Sequence, residues 1–153
     1  MGAVANRLAE AGLILPTAAA PVANYLLATC SGPLVFTSGQ LPVSDGALIA
    51  TGLVGSEISL ETAAQCAAQC ALNALAAAAT VCDLDDVEGV ARLTGYVASA
   101  AGFTSQPAVI DAASNVLIVA LGDIGRHARE AVGVAALPLG APVEVSLVLT
   151  VRG

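Results

Sequence analysis

The run "HAREAVGVAALPLGAPVEVSL", residues 127–147, contains two apolar, strand-like stretches, and each carries an ion: Arg129 in the first and Glu144 in the second. An ion in an apolar stretch costs free energy unless a partner or a ligand uses it. The chain is 57% hydrophobic and only 11% charged, so these two placements restrict what it can fold into. Alternation along "APVEVSLVLTV" sends Val143, Val145, Leu147 and Leu149 to one side and Glu144, Ser146, Val148 and Thr150 to the other. In "REAVGVA" Arg129 shares a face with Ala131, Gly133 and Ala135, small residues that leave room beside the guanidinium. Two readings stay open on pattern alone. One is a structural ion pair or a pair of exposed strand ends. The other is a pocket where Arg129 binds a carboxylate bidentately and Glu144 handles water or a proton.

The rest of the chain reads as alternating strands and helices. Residues 3–11 have helical character, with Gly12 as a stop and Pro16 and Pro21 opening an extended linker. A strand is expected over 22–30, a turn at "SGP" (31–33) and a returning strand over 34–39. "SDG" (44–46) marks another turn before "ALIATG". Ser59 is placed to cap a long helix running to about Thr80, with Glu61 meeting its dipole. The acidic 83–89 is expected as a loop that feeds a strand over 90–99. Pro107 suits the first turn of a second helix, which Gly122 ends and in which Asp111 and Asn115 share a face. Final strands follow over 129–135 and 142–151. Helices are too few to cover both faces of a parallel sheet, so an α+β fold is expected, a mixed or antiparallel sheet with two main helices on one face.

At 153 residues the chain suits a single domain spanning 1–153, with 1–20 as an N-terminal helical extension. Its mean hydropathy of +0.84 suggests either a membrane protein or a subunit that buries a sheet face against copies of itself. The longest apolar run, 62–82, contains Gln65, Gln69 and Asn73 and is mostly Ala, a poor bilayer span. Residues 11–20 follow Glu10 and lack the positive stretch of a secretory leader. A cytoplasmic oligomer that does not engage a membrane is expected. A net charge of −7, with five scattered Arg and no Lys, argues against nucleic acid, whose binding needs clustered cations. Cys30, Cys66, Cys70 and Cys82 have only His127 as a further soft ligand, so no metal is expected and buried thiols are read as apolar fillers. His127 is read as a surface residue at a strand entrance and Arg126 as a solvated charge or subunit contact.

Two segments carry a family resemblance. "NYLLATCSGPLVFTSGQLPV" (24–43) resembles the opening hairpin of the RidA/YjgF family, also known as L-PSP endoribonuclease-like. "AREAVGVAALPLGAPVEVSLVLTV" (128–151) resembles that family's C-terminal signature. The elements match in order from about residue 21 to the C-terminus, and "RLAEAGLILP" near the start is similar to the family's longer branch.

The resemblance implies a chorismate-mutase-like (bacillus type) fold and a homotrimer with active sites in clefts between subunits. It implies hydrolysis of reactive enamine or imine acids to 2-oxo acids and ammonia, with no cofactor. By position, Arg129 matches the arginine that holds the substrate carboxylate and Glu144 the acid that positions the attacking water. Tyr25 and Ser38 match pocket residues of the first two strands, and Gly39, taken with them as a substrate-binding residue, lies beside Ser38 in the same turn. Asp111 stands where familiar members carry a pocket Asn, Ala131 replaces a cysteine and Gly133 an acid. Arg129 and Glu144 are accordingly expected to face one inter-subunit cleft, with a small carboxylated imine or 2-oxo acid as ligand. Three competing readings are an endoribonuclease, a non-catalytic module that captures a small carboxylate, and a chorismate mutase resting on fold analogy alone.

Overall fold

The strand and helix signals resolve into one five-stranded mixed sheet with helices on a single side. The computed structural model describes residues 2–21 and 23–153. In chain order its elements are α1 (Ala3–Glu10), β1 (Ala28–Ser31), β2 (Leu34–Thr37), β3 (Val43–Ser44), β4 (Ala47–Leu48), α2 (Leu60–Ala78), β5 (Val87–Ala98), α3 (Gln106–Leu121), β6 (Ala128–Val134) and β7 (Val143–Val151). The strands run in the order β1-β2-β7-β5-β6; β5 and β6 pair in parallel and every other neighbour is antiparallel. Helix α2 lies over β1, β2 and β7, and α3 over β5 and β6. This is the expected α+β architecture.

Local chemistry explains the helices. The Ser59 hydroxyl accepts from the Thr62 amide at 3.1 Å and starts α2. Its buried side is mostly Ala63, Cys66, Ala67, Cys70, Ala71 and Ala74, whose small side chains let α2 approach both α3 and the sheet closely. Helix α3 has Pro107 in its first turn and ends at Gly122, whose φ of 67° suits glycine. The stretch Gln106–Gly125 is apolar and long enough by composition to cross a membrane. Here that apolarity is used against α2 and the sheet, where Val109, Ile110, Ala113 and Leu117 are fully buried. Gly95 of β5 faces Ile110, and a β-carbon there would collide with it. The N-terminus of α1 is held from outside the helix: the Asp85 carboxylate accepts from the Ala3 and Val4 amides at 2.8 and 2.9 Å.

The sheet's two faces differ as the alternation of β7 requires. Val143, Val145, Leu147 and Leu149 are buried beneath the helices, whereas Glu144, Ser146, Val148 and Thr150 remain part-exposed. On that second face Phe36 and Val132 are exposed.

The expected strand over 22–30 shrinks to Ala28–Ser31, and Val22 lies outside the described residues. Ala28 pairs with Thr37 and the Leu27 carbonyl still accepts from the Ser38 amide at 2.8 Å, after which Gln40 pairs with Val145 instead and the ladder to the preceding residues ends. A turn with the Tyr25 amide on the Ala23 carbonyl takes their place. The expected loop at 83–89 is shorter than its sequence suggests, because β5 already begins at Val87. The "SDG" turn joins the two-residue strands β3 and β4, with Asp45 and Gly46 both at positive φ.

Candidate functional site

Arg129 sits on the edge strand β6. In-register pairing puts it in one row with Leu93 and Leu147, on the helix side of the sheet. Pro107, Asp111 and Ser114 recur on the near side of α3 at i, i+4 and i+7, and all three meet the guanidinium. Nη1 donates to Asp111 Oδ1 at 2.7 Å and to Ser114 Oγ at 3.2 Å, and Nη2 donates to the Pro107 carbonyl at 3.5 Å. The Arg129 side chain is 24% exposed and that of Asp111 65%, so the pair opens outward.

His127 completes this cluster and is not the partnerless surface residue expected from sequence. Its Nδ1 lies 2.6 Å from the Gly125 carbonyl and its Nε2 lies 2.9 Å from Ser114 Oγ. A carbonyl only accepts, so in the neutral ring Nδ1 carries the proton and Nε2 accepts from the Ser114 hydroxyl. The serine oxygen in turn accepts from Arg129. The chain Arg129 to Ser114 to His127 to Gly125 thus has one direction throughout. Sequence reasoning paired Asp111 with Asn115, but Asn115 is exposed and Ser114 makes the contact. Two spacings held the missing signal: Ser114 three residues after Asp111 on one helix, and His127 two before Arg129 on one strand. Arg126 is a solvated charge facing Asp123 at 3.7 Å.

Glu144 lies elsewhere. It shares a row with Tyr96 and Val132, on the face away from the helices, and β5 separates its strand from that of Arg129. Burial alone holds its carboxyl above the usual carboxylate range, with no hydrogen bond or neighbouring charge contributing. The carboxylate rests on the bare Cα of Gly39: a β-carbon there would lie 2.5 Å from Glu144 Oε1. Gln40 exchanges backbone hydrogen bonds of 2.8 and 3.0 Å with Val145 and fixes Gly39 in that position.

Ser38 donates its hydroxyl to the Leu26 carbonyl at 2.6 Å and its amide to Leu27, so it organises the turn. Tyr25, half-exposed, lines an open cavity of about 980 Å³ together with Gly39, Gln40, Asn73 and the segment 12–20. Leu139, 79% exposed at φ 60°, stands at the same cavity. A positive φ on a leucine stores strain of the kind found beside binding sites.

The structure therefore gathers the six expected site residues into two groups: Asp111 with Arg129, and Gly39 with Glu144, near Tyr25 and Ser38. It does not bring Arg129 and Glu144 together within one chain. Among the described residues no three His, Cys, Asp or Glu side chains group as metal ligands would. Burial pushes the Cys66 thiol up to about 11 and those of Cys70 and Cys82 upward as well, which suits packing rather than nucleophilic chemistry.

Comparison with known proteins places this geometry among relatives. The family model described as "YjgF/chorismate_mutase-like, putative endoribonuclease" matches residues 5–150, a stretch that takes in most of the expected extension. Protein TCP17 of Trypanosoma cruzi is 42% identical over 146 residues, covering 94% of this chain and 91% of the relative. The crystal structure of a protein of unknown function from Agrobacterium tumefaciens superposes with a TM-score of 0.90 at 43% identity, over 98% of this chain and 93% of that one. RidA from an Antarctic Psychrobacter species superposes with a TM-score of 0.60 at 28% identity, over 88% of this chain and 94% of its own.

Proposed function

The chain belongs to the YjgF/chorismate-mutase-like family, and on that premise we propose that it is a hydrolytic deaminase of small reactive 2-imino and enamine acids, acting as a homotrimer with its sites between subunits. Arg129 of one copy binds the substrate carboxylate, and Glu144 of a neighbouring copy positions the attacking water.

The observation that carries this reading is the state of Glu144. A half-buried carboxylate with a raised proton affinity and no hydrogen-bond or ion-pair partner among the described residues is suited to move a proton. Among the described residues it has no ion-pair partner and its carboxylate stays partly open to solvent, so a structural ion pair does not account for it. Among the described residues Arg129 keeps its Nε–H and part of Nη2 without a partner along one edge, the geometry that a carboxylate takes bidentately. An iminium carbon is already electrophilic, so orientation and a placed water supply most of what the reaction requires. Water adds to that carbon as Glu144 takes its proton. The same carboxyl then returns that proton to the nitrogen and takes the proton of the new hydroxyl as the C–N bond breaks, so that ammonia leaves, the 2-oxo acid forms and the carboxyl loses its proton to solvent. The open face of the sheet, where Phe36 and Val132 stand exposed beside Glu144, Ser146 and Thr150, supplies the surface for the copies to meet.

The test is imine hydrolysis. An amino-acid oxidase generates 2-imino acids in situ, and semicarbazide traps what remains. Wild-type protein lowers the trapped imine and Arg129→Ala does not. Unchanged trapping across several imines, with the oligomer intact, contradicts the reading. The ribonuclease activity in the family's description is the competing class. A net charge of −7 without lysine opposes it, and RNA offered in the same experiment decides between the two.

A further inference from the structure

Arg129 does not present a bare cation. Both N–H groups of its Nη1 are taken, one by a carboxylate at 2.7 Å and one by the Ser114 hydroxyl at 3.2 Å. A ligand carboxylate is left with the Nε–H and Nη2–H edge, where it lies across the width of one guanidinium from the Asp111 carboxylate. A plain anion there gains the arginine and meets a fixed negative charge beside it. A ligand with a positive nitrogen next to its carboxylate meets a charge of the right sign at each end. Asp111 is well placed for this: its side chain is 65% exposed, its Oδ1 holds Arg129, and its Oδ2 makes no hydrogen bond among the described residues.

We propose that Asp111 sets the charge specificity of the site, turning the Arg129 subsite into a dipole that prefers iminium-carboxylate and zwitterionic ligands over 2-oxo acid anions. The inference rests on the deaminase reading for its biological sense, since substrate and product of that reaction differ in this charge. A protonated imino acid carries the positive nitrogen and the 2-oxo acid has lost it. The site then holds substrate and sheds product. Asp111 touches no reacting bond in this account; it acts through charge and by holding the guanidinium.

The experiment is a binding measurement on the full-length oligomer at neutral pH and low salt, independent of turnover. The probes are an isosteric pair, 2-aminobutyrate as zwitterion and 2-oxobutyrate as anion, titrated into wild type, Asp111→Asn and Ser114→Ala. Wild type favours the zwitterion. Asp111→Asn moves the ratio of the two dissociation constants about tenfold toward the oxo acid, the size of one charge–charge interaction in a partly solvated site. Ser114→Ala, which loosens Arg129 without changing charge, weakens both ligands alike and keeps the ratio. An unchanged ratio in Asp111→Asn overturns the inference, as does an equal shift in Ser114→Ala. Asp111 is exposed and Asn nearly isosteric, so the variant is expected to fold. If neither probe binds any form, the carboxylate role of Arg129 fails together with the inference. If imines are hydrolysed but the ratio does not move, the deaminase stands and the role of Asp111 alone falls.

Discussion

Arg129 and Glu144 point to opposite faces of one sheet, with β5 between their strands. Arg129 shares its row with Leu93 and Leu147 under the helices, and Glu144 shares its row with Tyr96 and Val132 on the other side. No side-chain rotation carries both to one ligand, because the pleat fixes the face of each. The two act on one molecule only if they come from different copies of the chain. Everything proposed about catalysis depends on that relationship.

Gly39→Ala is expected to separate fold from function. Gly39 does not occupy a positive-φ conformation, so its backbone accepts alanine. The added carbon meets the flexible end of Glu144 and displaces the carboxylate. The expected result is a thermal stability within about 1 kcal/mol of wild type and a loss of imine hydrolysis of tenfold or more. Full activity in Gly39→Ala contradicts the placement of Glu144 as the residue that positions water.

Glu144 should carry a stability penalty at neutral pH. Its folded-state proton affinity lies above the ordinary value of 4.5, so the folded form holds the proton longer than the unfolded form. Stability is therefore greatest below that ordinary value and declines as pH rises through the raised one. Glu144→Gln is expected to melt higher than wild type near pH 7, by a small margin because the carboxylate is partly exposed. The difference should close near pH 4. A lower melting temperature for Glu144→Gln at pH 7 contradicts this.

Asp85 should behave in the opposite sense. Hydrogen bonds from the Val4 and Ala3 amides hold its carboxyl below the usual range. Its contribution is present above the ordinary value of 3.8 and is lost as pH falls through the lower folded value. Asp85→Ala is expected to melt lower than wild type at pH 7, with the gap narrowing in acid. Hydrogen exchange should locate the loosening in α1.

Much of the fold was legible because local rules decide it. Ser59 marked the start of α2, Pro107 and Gly122 bracketed α3, and the alternation of 143–151 separated a buried row from an exposed one. The strand expected over 22–30 failed because pairing is not local: beyond Thr37 the partner offers only the Ser38 amide and hydroxyl, to Leu27 and Leu26, and no further ladder. The site was legible in identity but not in arrangement. Alternation gives the face of each residue within its own strand, while the relation between Arg129 and Glu144 depends on how β6 and β7 register on β5. The cluster of Ser114 and His127 on Arg129 was missed for the same reason, since it joins a helix to a strand entrance.

The most direct measurement mixes two inactive variants. Arg129→Ala and Glu144→Gln are each expected to abolish imine hydrolysis alone. Subunits of the two, dissociated and reassembled together, place an intact Arg129 beside an intact Glu144 wherever the pairing is right. With random mixing that is about a quarter of the sites, so the mixture is expected to recover about a quarter of wild-type activity. No recovery in assemblies shown to contain both variants contradicts a site shared between copies, and with it the proposed mechanism.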